Sequence, residues 1–189
     1  MKKILVVISS FFIMLCLGSV YAWSLVSTEL IFNYGFTSVQ SQLVFGLLIA
    51  VFPVTMIFAG RYENRIGTQN LAVLSAVFFS AGYLLSGFSN GNFWAILFGV
   101  GILTGIGTGL GYLVALTTPV KYFPNKKGLV PGISTAGFGL AAFIFSLITE
   151  KLLLDGKRIL DIFLIIAVVY GLTILLFSVF LKSPSISSP

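Results

Sequence analysis

Long apolar runs, separated by short polar segments, account for most of the chain. Six runs are each long enough for a helix that crosses a bilayer, which needs about 20 predominantly apolar residues. The pattern predicts an all-α membrane protein whose one domain, residues 1–182, is a six-transmembrane-helix bundle. The predicted spans are residues 4–27, 39–59, 70–88, 93–118, 128–149 and 160–181.

The amino-acid composition excludes a soluble globular domain. Of the 189 residues, 58% are hydrophobic and only 8% are charged, against about 25% charged residues in soluble domains. So few charges cannot form a soluble surface over this much apolar chain. The one cysteine, Cys16, lies inside an apolar run, where it cannot form an internal disulfide and is expected to be a small packing residue.

Lysine and arginine residues are distributed unequally over the two ends of the predicted bundle. Because cytoplasmic loops carry the excess of positive charge, the distribution predicts a multi-pass protein of the cell (cytoplasmic or inner) membrane with both termini in the cytoplasm. The net charge of +6 then reflects topology and attraction to anionic lipid head groups, and a nucleic-acid partner is not expected. The predicted cytoplasmic residues are Lys2, Lys3, Arg61, Arg65, Lys121, Lys126, Lys127 and Lys182, against Lys151, Lys157 and Arg158 on the other side.

The segment MKKILVVISSFFIMLCLGSVYAW at the start of the chain also has the layout of a secretory signal peptide. It has a basic start, an apolar middle and small residues around Ser19 to Ala22. Cleavage after Ala22 would leave five spans. The apolar stretch is long enough to span the membrane by itself, and the residues past Ala22 continue at helical spacing without a turn signal. These features favour a retained first span.

The segment GRYENRIG, residues 60–67, lies in the short predicted loop between spans two and three. It resembles the loop signature of the major facilitator superfamily, which is glycine, three residues, aspartate, arginine, one residue and glycine. Gly60, Arg65 and Gly67 match this signature, and Asn64 stands where aspartate is usual.

Two further segments resemble the oxalate/formate antiporter family within that superfamily. GSVYAWS, residues 18–24, is similar to the family's first-helix motif, and KYFPNKKGLVPGISTAGFGL, residues 121–140, is similar to its motif between the fourth and fifth helices. Tyr122, Asn125, Lys127 and Pro131 depart from the second motif. The residues that fit it are Phe123, Pro124, Lys126, Gly128, Leu129, Gly132, Ala136, Gly137, Gly139 and Leu140.

The resemblance covers the whole chain but only the N-terminal six-helix half of the family's twelve-helix transporters. Residues 183–189 are expected to form a cytoplasmic tail, with no second half after it. The resemblance implies secondary transport of a small organic anion, such as oxalate, formate or another mono- or dicarboxylate, by alternating access. It also implies that the basic residues that pair with the substrate lie in the second half. We therefore expect transport only together with a second six-helix half, which is either encoded separately or provided by a second copy of this chain in a dimer. The alternative is that the chain is a truncated six-span fragment that does not transport.

Polar side chains on span one and Tyr112 on span four are the candidates for a site within the membrane. Ser10, Gly18, Tyr21 and Thr28 fall within about 80° of one another at helical spacing, and such a stripe faces the bundle interior or a water-filled cavity instead of lipid. Interhelical hydrogen bonds and an aromatic-lined substrate cavity both fit this pattern. The family resemblance favours the cavity, and its motifs assign substrate binding to Tyr21, Gln40, Tyr112 and Phe138.

Glycines and charged residues near the predicted loops suggest packing and gating roles. Gly101, Gly105 and Gly109 repeat every four residues and share one face of span four, which predicts close helix packing. The resemblance implies that loop residues clasp the cytoplasmic ends in one state and release them in the other. The gating candidates are Gly60, Asn64, Arg65, Gly67, Lys121, Pro124, Lys126, Lys127 and Gly128.

An enzymatic function is not expected. The sequence contains no histidine and one isolated thiol, and its acidic residues lie at the ends of the spans. Neither an acid–base pair nor a metal cluster can be assembled from these residues. We therefore predict no catalytic residue, no metal and no cofactor.

Overall fold

Six long helices form the described part of the molecule, as the hydropathy pattern predicts. The computed structural model describes residues 2–182, and the predicted tail at 183–189 lies outside them. Within the described residues, six helices are long and apolar enough to cross a membrane, which confirms the all-helical, six-span prediction. These helices, called spans one to six below, are Lys3–Tyr34, Ser38–Ile66, Thr68–Gly87, Phe93–Tyr122, Leu129–Leu154 and Ile159–Ser178.

Spans one, two, four and five continue beyond the apolar runs that predicted them. The helix of span two ends at Ile66 instead of residue 59, so GRYENRIG is helical and only Gly67, with φ +86°, connects it to span three. The predicted loop placement of this motif is therefore wrong. Hydropathy marks the part of a helix that lies in lipid, whereas backbone hydrogen bonds can continue through polar helix-forming residues outside the lipid. The last backbone hydrogen bond of span two joins the Gly67 N–H to the Glu63 carbonyl at 2.8 Å.

Two of the spans contain tighter or wider turns at glycines. Span one is an α-helix over Lys2–Leu17, a 3₁₀ turn over Gly18–Ala22 and an α-helix over Trp23–Tyr34. Span four begins as a short α-helix at Phe93–Ile96, widens into a π-helix over Leu97–Thr104 and continues as an α-helix over Gly105–Tyr122. Both irregular turns change the direction in which the following side chains point.

Span four lies in the middle of the bundle, because its glycines allow close approach of other helices on two sides. On one side, Gly101, Gly105 and Gly109 face span two, where the nearest atoms belong to residues 44, 47, 48, 51, 52 and 55. On the other side, Gly107 and Gly111 lie against Phe79 and Ser75 of span three. The glycine stripe predicted for helix packing thus faces span two.

Hydroxyl groups inside the bundle donate hydrogen bonds between helices. Ser75 Oγ donates to the Gly107 carbonyl at 2.7 Å, and Ser80 Oγ donates to the Ala167 carbonyl at 2.9 Å. Ser41 Oγ donates to Ser27 Oγ at 2.7 Å and links span two to span one. In a bilayer these groups have no water to bind, so the bonds between spans satisfy them.

The chain termini of the described region lie at the same end of the bundle as the connections 67 and 123–128. Thr68 Oγ1 donates to the Leu181 carbonyl at 2.9 Å, and the Tyr122 hydroxyl donates to the Lys182 carbonyl at 2.6 Å. We call this end the lysine-rich end, since Lys121, Lys126 and Lys182 lie there. The connections 35–37, 88–92 and 155–158 form the opposite end.

Candidate functional site

Five aromatic rings meet where spans one, two, four and five approach one another. Phe138 is central, with its ring centroid 5.4 Å from that of Tyr21, 5.0 Å from Tyr112 and 6.4 Å from Phe52. Phe52 also lies 5.2 Å from Tyr112, and Phe45 lies 6.3 Å from Tyr21. We call these five residues the aromatic cluster. It brings together three of the four predicted substrate-binding residues, from three different spans.

A close helix contact holds Tyr21 against Phe138. Gly18 lies directly on the Phe138 carbonyl and near Ala141, so that a Cβ atom at position 18 would collide with the backbone of span five. The 3₁₀ turn that begins at Gly18 then brings the Tyr21 ring edge-on to the Phe138 ring, at an interplanar angle of 77°. Edge-to-face pairs of this kind are the favoured geometry of aromatic contacts.

The aromatic cluster is open on one side. Tyr21 is 50% exposed, and the other four rings are half-buried. Within residues 2–182, neither the Tyr21 nor the Tyr112 hydroxyl takes part in a hydrogen bond. Both tyrosines therefore keep a free donor in a partly open cluster whose other three rings are phenylalanines.

The residues of the predicted polar stripe on span one differ in burial. Ser10 is fully buried, and its hydroxyl has no hydrogen-bond partner among the described residues, whereas Thr28 is exposed and donates to the Ser24 carbonyl at 2.9 Å. The two ends of the predicted stripe thus differ in burial, and the assignment of the stripe to a cavity stays a prediction. The 3₁₀ turn has 3.0 residues per turn instead of 3.6, so the residues after it are rotated relative to those before it.

Gln40 lies outside the aromatic cluster, at the beginning of span two. Its side-chain Oε1 accepts a hydrogen bond from the Thr37 N–H at 2.9 Å, while its own N–H donates to Thr37 Oγ1 at 3.1 Å. This reciprocal pair is a capping box, which satisfies backbone donors at the start of a helix. Gln40 therefore has a local structural role at the opposite end, and its assignment to substrate binding stays a prediction.

Sequence reasoning missed Phe45 and Phe52, which span two contributes to the cluster. The two residues are seven positions apart, about two helical turns, and so share one face of span two. That face lies beside the one packed on the span-four glycines, where Gly109 approaches the Phe52 carbonyl. The spacing of Phe45 and Phe52 indicates two rings on one helix face, but phenylalanines are so frequent in this chain that this pair does not differ from many others.

At the lysine-rich end, an ion pair joins span two to span four. Glu63 Oε1 accepts a hydrogen bond from Lys121 Nζ at 2.7 Å, and Thr117 Oγ1 lies 3.5 Å from the same oxygen. Glu63 is the carboxylate that the motif comparison overlooked, because it precedes Asn64 by one residue. One residue corresponds to about 100° around a helix, which turns the Glu63 side chain toward span four.

The other predicted gating residues lie around this ion pair, mostly on the surface. Asn64 and Arg65 are exposed at the end of span two, and Lys126 and Lys127 are exposed in the connection to span five. Pro124 begins a 3₁₀ turn over Pro124–Lys126. The glycines at 60 and 128 have at most one side-chain atom near them, so they are not positions of close packing.

The opposite end carries a second ion pair within one helix turn. Arg158 donates to Asp161 through its guanidinium at 3.0 Å and through its backbone N–H at 3.2 Å. The hydrogen bond with Asp161 raises the pKa of Arg158. This pair caps the start of span six and is not joined to the aromatic cluster.

A family model described as "Major Facilitator Superfamily" matches residues 5–189. The chain belongs to the Major Facilitator Superfamily. Among curated relatives, the "Uncharacterized MFS-type transporter YhjX" of Escherichia coli (strain K12) is 32% identical over 137 residues, 72% of this chain and 34% of that protein. "Monocarboxylate transporter 14" of Mus musculus is 29% identical over 153 residues, 78% of this chain and 29% of that protein. The "Oxalate:formate antiporter" of Oxalobacter formigenes is 25% identical over 168 residues, 88% of this chain and 39% of that protein.

Membership of the Major Facilitator Superfamily confirms the resemblance inferred from the three motifs. It identifies the chain as a membrane protein of a transporter family and not an enzyme. The chain spans only about a third of the length of the curated relatives it matches. In this chain, the segment GRYENRIG forms the end of span two, and the carboxylate within it, Glu63, pairs with Lys121.

Proposed function

We propose that this chain forms one half of a secondary transporter for a small organic anion, such as formate, oxalate or another mono- or dicarboxylate. The aromatic cluster forms one wall of the substrate cavity, with Tyr21, Tyr112 and Phe138 in contact with the substrate. The observation that carries this proposal is the pair of tyrosine hydroxyls without hydrogen-bond partners on the open side of the cluster. The relatives that are named as carboxylate transporters support the substrate class.

The chemistry of the cluster suits a small carboxylate. A phenolic hydroxyl is a good donor to a carboxylate oxygen, and hydrogen bonds to a charged group are stronger than those between neutral groups. Aromatic edges carry partial positive charge and can contact an anion. The five rings carry no formal charge, so we propose that the positive charge that balances the substrate comes from a second six-helix unit.

We propose that this second unit covers the open side of the cluster. It is either a separate polypeptide or a second copy of this chain. Span two, which carries Phe45 and Phe52, is the least buried of the six spans. Ser24 and Thr28 of span one follow Tyr21 by three and seven residues and are also exposed, and lipid is a poor environment for polar groups. A water-containing cavity between two units satisfies them.

Alternating access requires that the two units rock against each other around a fixed site. The Glu63–Lys121 pair ties span two to span four at the lysine-rich end, so we propose that these two spans move as one rigid piece. Arg65, Lys126 and Lys127 are exposed at the same end of the bundle as this pair. They are the residues that we propose to clasp the second unit when the cavity is closed on that side.

The distribution of basic residues supports an orientation with the lysine-rich end in the cytoplasm, in the cell membrane. Eight of the eleven lysines and arginines belong to this end in sequence order, and positive residues are enriched on the cytoplasmic side. A membrane-impermeant maleimide should label a Lys157→Cys variant in intact cells. A Lys126→Cys variant should react only after lysis, and the reverse result rejects this orientation.

Transport is tested with the purified chain in proteoliposomes. The chain is reconstituted alone, and together with the part of the relative YhjX that follows its match to this chain. We expect exchange of radiolabelled formate or oxalate only when both are present. Replacing Tyr112 or Tyr21 by phenylalanine removes one hydrogen bond to a charged group, which should weaken substrate affinity by about tenfold.

Tyr62→Phe is the matched control, because Tyr62 is an exposed tyrosine of span two at the lysine-rich end, away from the cluster. It should leave the affinity unchanged. Equal effects of Tyr62→Phe and Tyr112→Phe would remove the cluster from the proposal. Absence of any carboxylate flux or binding with the second unit present would favour the non-transporting six-span fragment.

A further inference from the structure

Lys182 lies where two surface pockets of different chemistry meet. The first pocket, at the lysine-rich end, has a volume of about 310 Å³ and is lined mainly by charged and amide side chains. The second has a volume of about 320 Å³ and is lined mainly by aliphatic and aromatic side chains. Lys182 contributes to both, so the two pockets form one continuous surface with a polar part and an apolar part.

The polar part carries a net positive charge. Its charged side chains are Glu63, Lys121 and Lys182, and the first two neutralise each other through their 2.7 Å ion pair. Among the described residues that line this pocket, the positive charge of Lys182 is therefore the one that remains. Amide groups of Asn64 and Gln69 add hydrogen-bond donors to the same pocket.

The apolar part lies between the beginning of span one and the end of span six. Its walls are Leu5 and Val6 on one side and Val179 and Phe180 on the other. Leu5, Val179 and Phe180 are 40%, 52% and 39% exposed. Leu5 lies near the beginning of span one, and Val179 and Phe180 directly follow the last residue of span six. We therefore place these exposed side chains at the level where acyl chains meet head groups.

The backbone around Lys182 is held in place by two other spans. Thr68 of span three donates to the Leu181 carbonyl at 2.9 Å, and the Tyr122 hydroxyl of span four donates to the Lys182 carbonyl at 2.6 Å. Lys182 thus projects from a positioned backbone between the two pockets. A positioned lysine loses less conformational freedom on binding an anion than one on a flexible segment.

We propose that this two-part pocket binds one anionic phospholipid, with the phosphate at Lys182 and the upper part of an acyl chain along Leu5, Val179 and Phe180. A free phosphate ion would use only the polar part, whereas a phospholipid has the chemistry of both. The phospholipid bilayer surrounds a six-span protein at this depth, so the occupant is always present. The proposal does not depend on the proposed transport function.

Native mass spectrometry of the full chain, released from bilayer discs of equimolar phosphatidylglycerol and phosphatidylcholine, tests this site. One lysine near an anionic membrane surface contributes about a fivefold preference. We expect the chain to retain phosphatidylglycerol about fivefold over phosphatidylcholine. Lys182→Gln should abolish the preference, and Lys182→Arg should keep it. Lys126→Gln is the matched control, since Lys126 is an exposed lysine of the same end that lines neither pocket.

A second variant tests the apolar part without any change of charge. Val179→Trp fills the space beside Phe180 and should reduce retained phosphatidylglycerol at least threefold, roughly the loss expected from about 0.7 kcal/mol. The proposal is overturned if the unmodified chain shows no preference, or if Lys126→Gln lowers it as much as Lys182→Gln. It is also overturned if Val179→Trp has no effect and inorganic phosphate displaces the bound lipid, since the site would then bind a phosphate ion alone.

Discussion

Replacing the glycines of span four by alanine should destabilise the bundle in a graded order. A Cβ atom at Gly109 would lie 2.6 Å from the Phe52 carbonyl oxygen and 2.7 Å from Thr55 Cβ. At Gly105 the nearest atoms would be at 3.1 and 3.2 Å, and at Gly101 the nearest is the flexible end of Leu47, at 3.1 Å. Of these three glycines, which face span two, Gly109 is therefore the most crowded, because a backbone atom must move there.

Two opposing effects determine the size of the change. Overpacking a close helix contact costs about 1–3 kcal/mol, whereas alanine improves helix propensity over glycine by up to ~1 kcal/mol. Gly109→Ala should therefore lose about 1–2 kcal/mol, Gly105→Ala should lose less, and Gly101→Ala should be nearly neutral. Gly139 of span five has no atom within 4 Å of a built Cβ, so Gly139→Ala should be neutral or slightly stabilising.

The chain itself supplies the probe for this experiment. Cys16 is its one cysteine and is only 5% exposed, so a thiol-reactive fluorescent dye reports unfolding of the detergent-solubilised protein. For about 190 residues, 1 kcal/mol corresponds to about 2–4 °C in Tm, and Gly109→Ala should lower Tm by about 5 °C. Equal Tm values for Gly109→Ala and Gly139→Ala would refute the close packing of spans two and four.

Three further measurements test other parts of the structure. A double-mutant cycle on Glu63→Gln and Lys121→Gln should give a coupling free energy of about 1 kcal/mol that decreases in high salt. The reason is that the pair is partly exposed, with side-chain exposures of 12% for Glu63 and 36% for Lys121. A coupling free energy of zero would mean that the pair does not join the two spans. Tyr21→Cys should react with a water-soluble thiol reagent, whereas Ser10→Cys should stay inert; inert behaviour at both positions would contradict a wet cavity. Phe138→Ala removes three ring contacts and should lower stability by about 2 kcal/mol, so an unchanged Tm would argue against a packed cluster.

The number of membrane helices and the superfamily follow from the order of residues along the chain. A run of about 20 apolar residues forms a membrane helix because lipid leaves the backbone no other hydrogen-bond partner. That constraint is local, so it can be recognised without knowing which helices touch. The motif at residues 121–140 and the glycine, arginine and glycine of GRYENRIG are equally local patterns, and the family comparison confirmed the superfamily that they indicate.

Part of the candidate cluster was also accessible from local pattern. Tyr21, Tyr112 and Phe138 were assigned through motif resemblance, and they meet in space. Gln40 was assigned in the same way; it lies outside the cluster and caps span two, and its substrate-binding role stays a prediction. A motif match reports the residue type at a position. It does not report whether that side chain already forms hydrogen bonds with the backbone at the end of its own helix.

What only the tertiary structure decided is which side chains from different spans touch. Phe45 and Phe52 join the cluster because span two packs on the glycines of span four, and Tyr21 reaches Phe138 because Gly18 lets span one approach span five through a 3₁₀ turn. Glu63 meets Lys121 because the helix of span two continues past the lipid. Each of these contacts depends on how a helix is rotated and on where it ends. A shift of one residue rotates a side chain by about 100° around the helix, and the hydropathy pattern does not register such a shift.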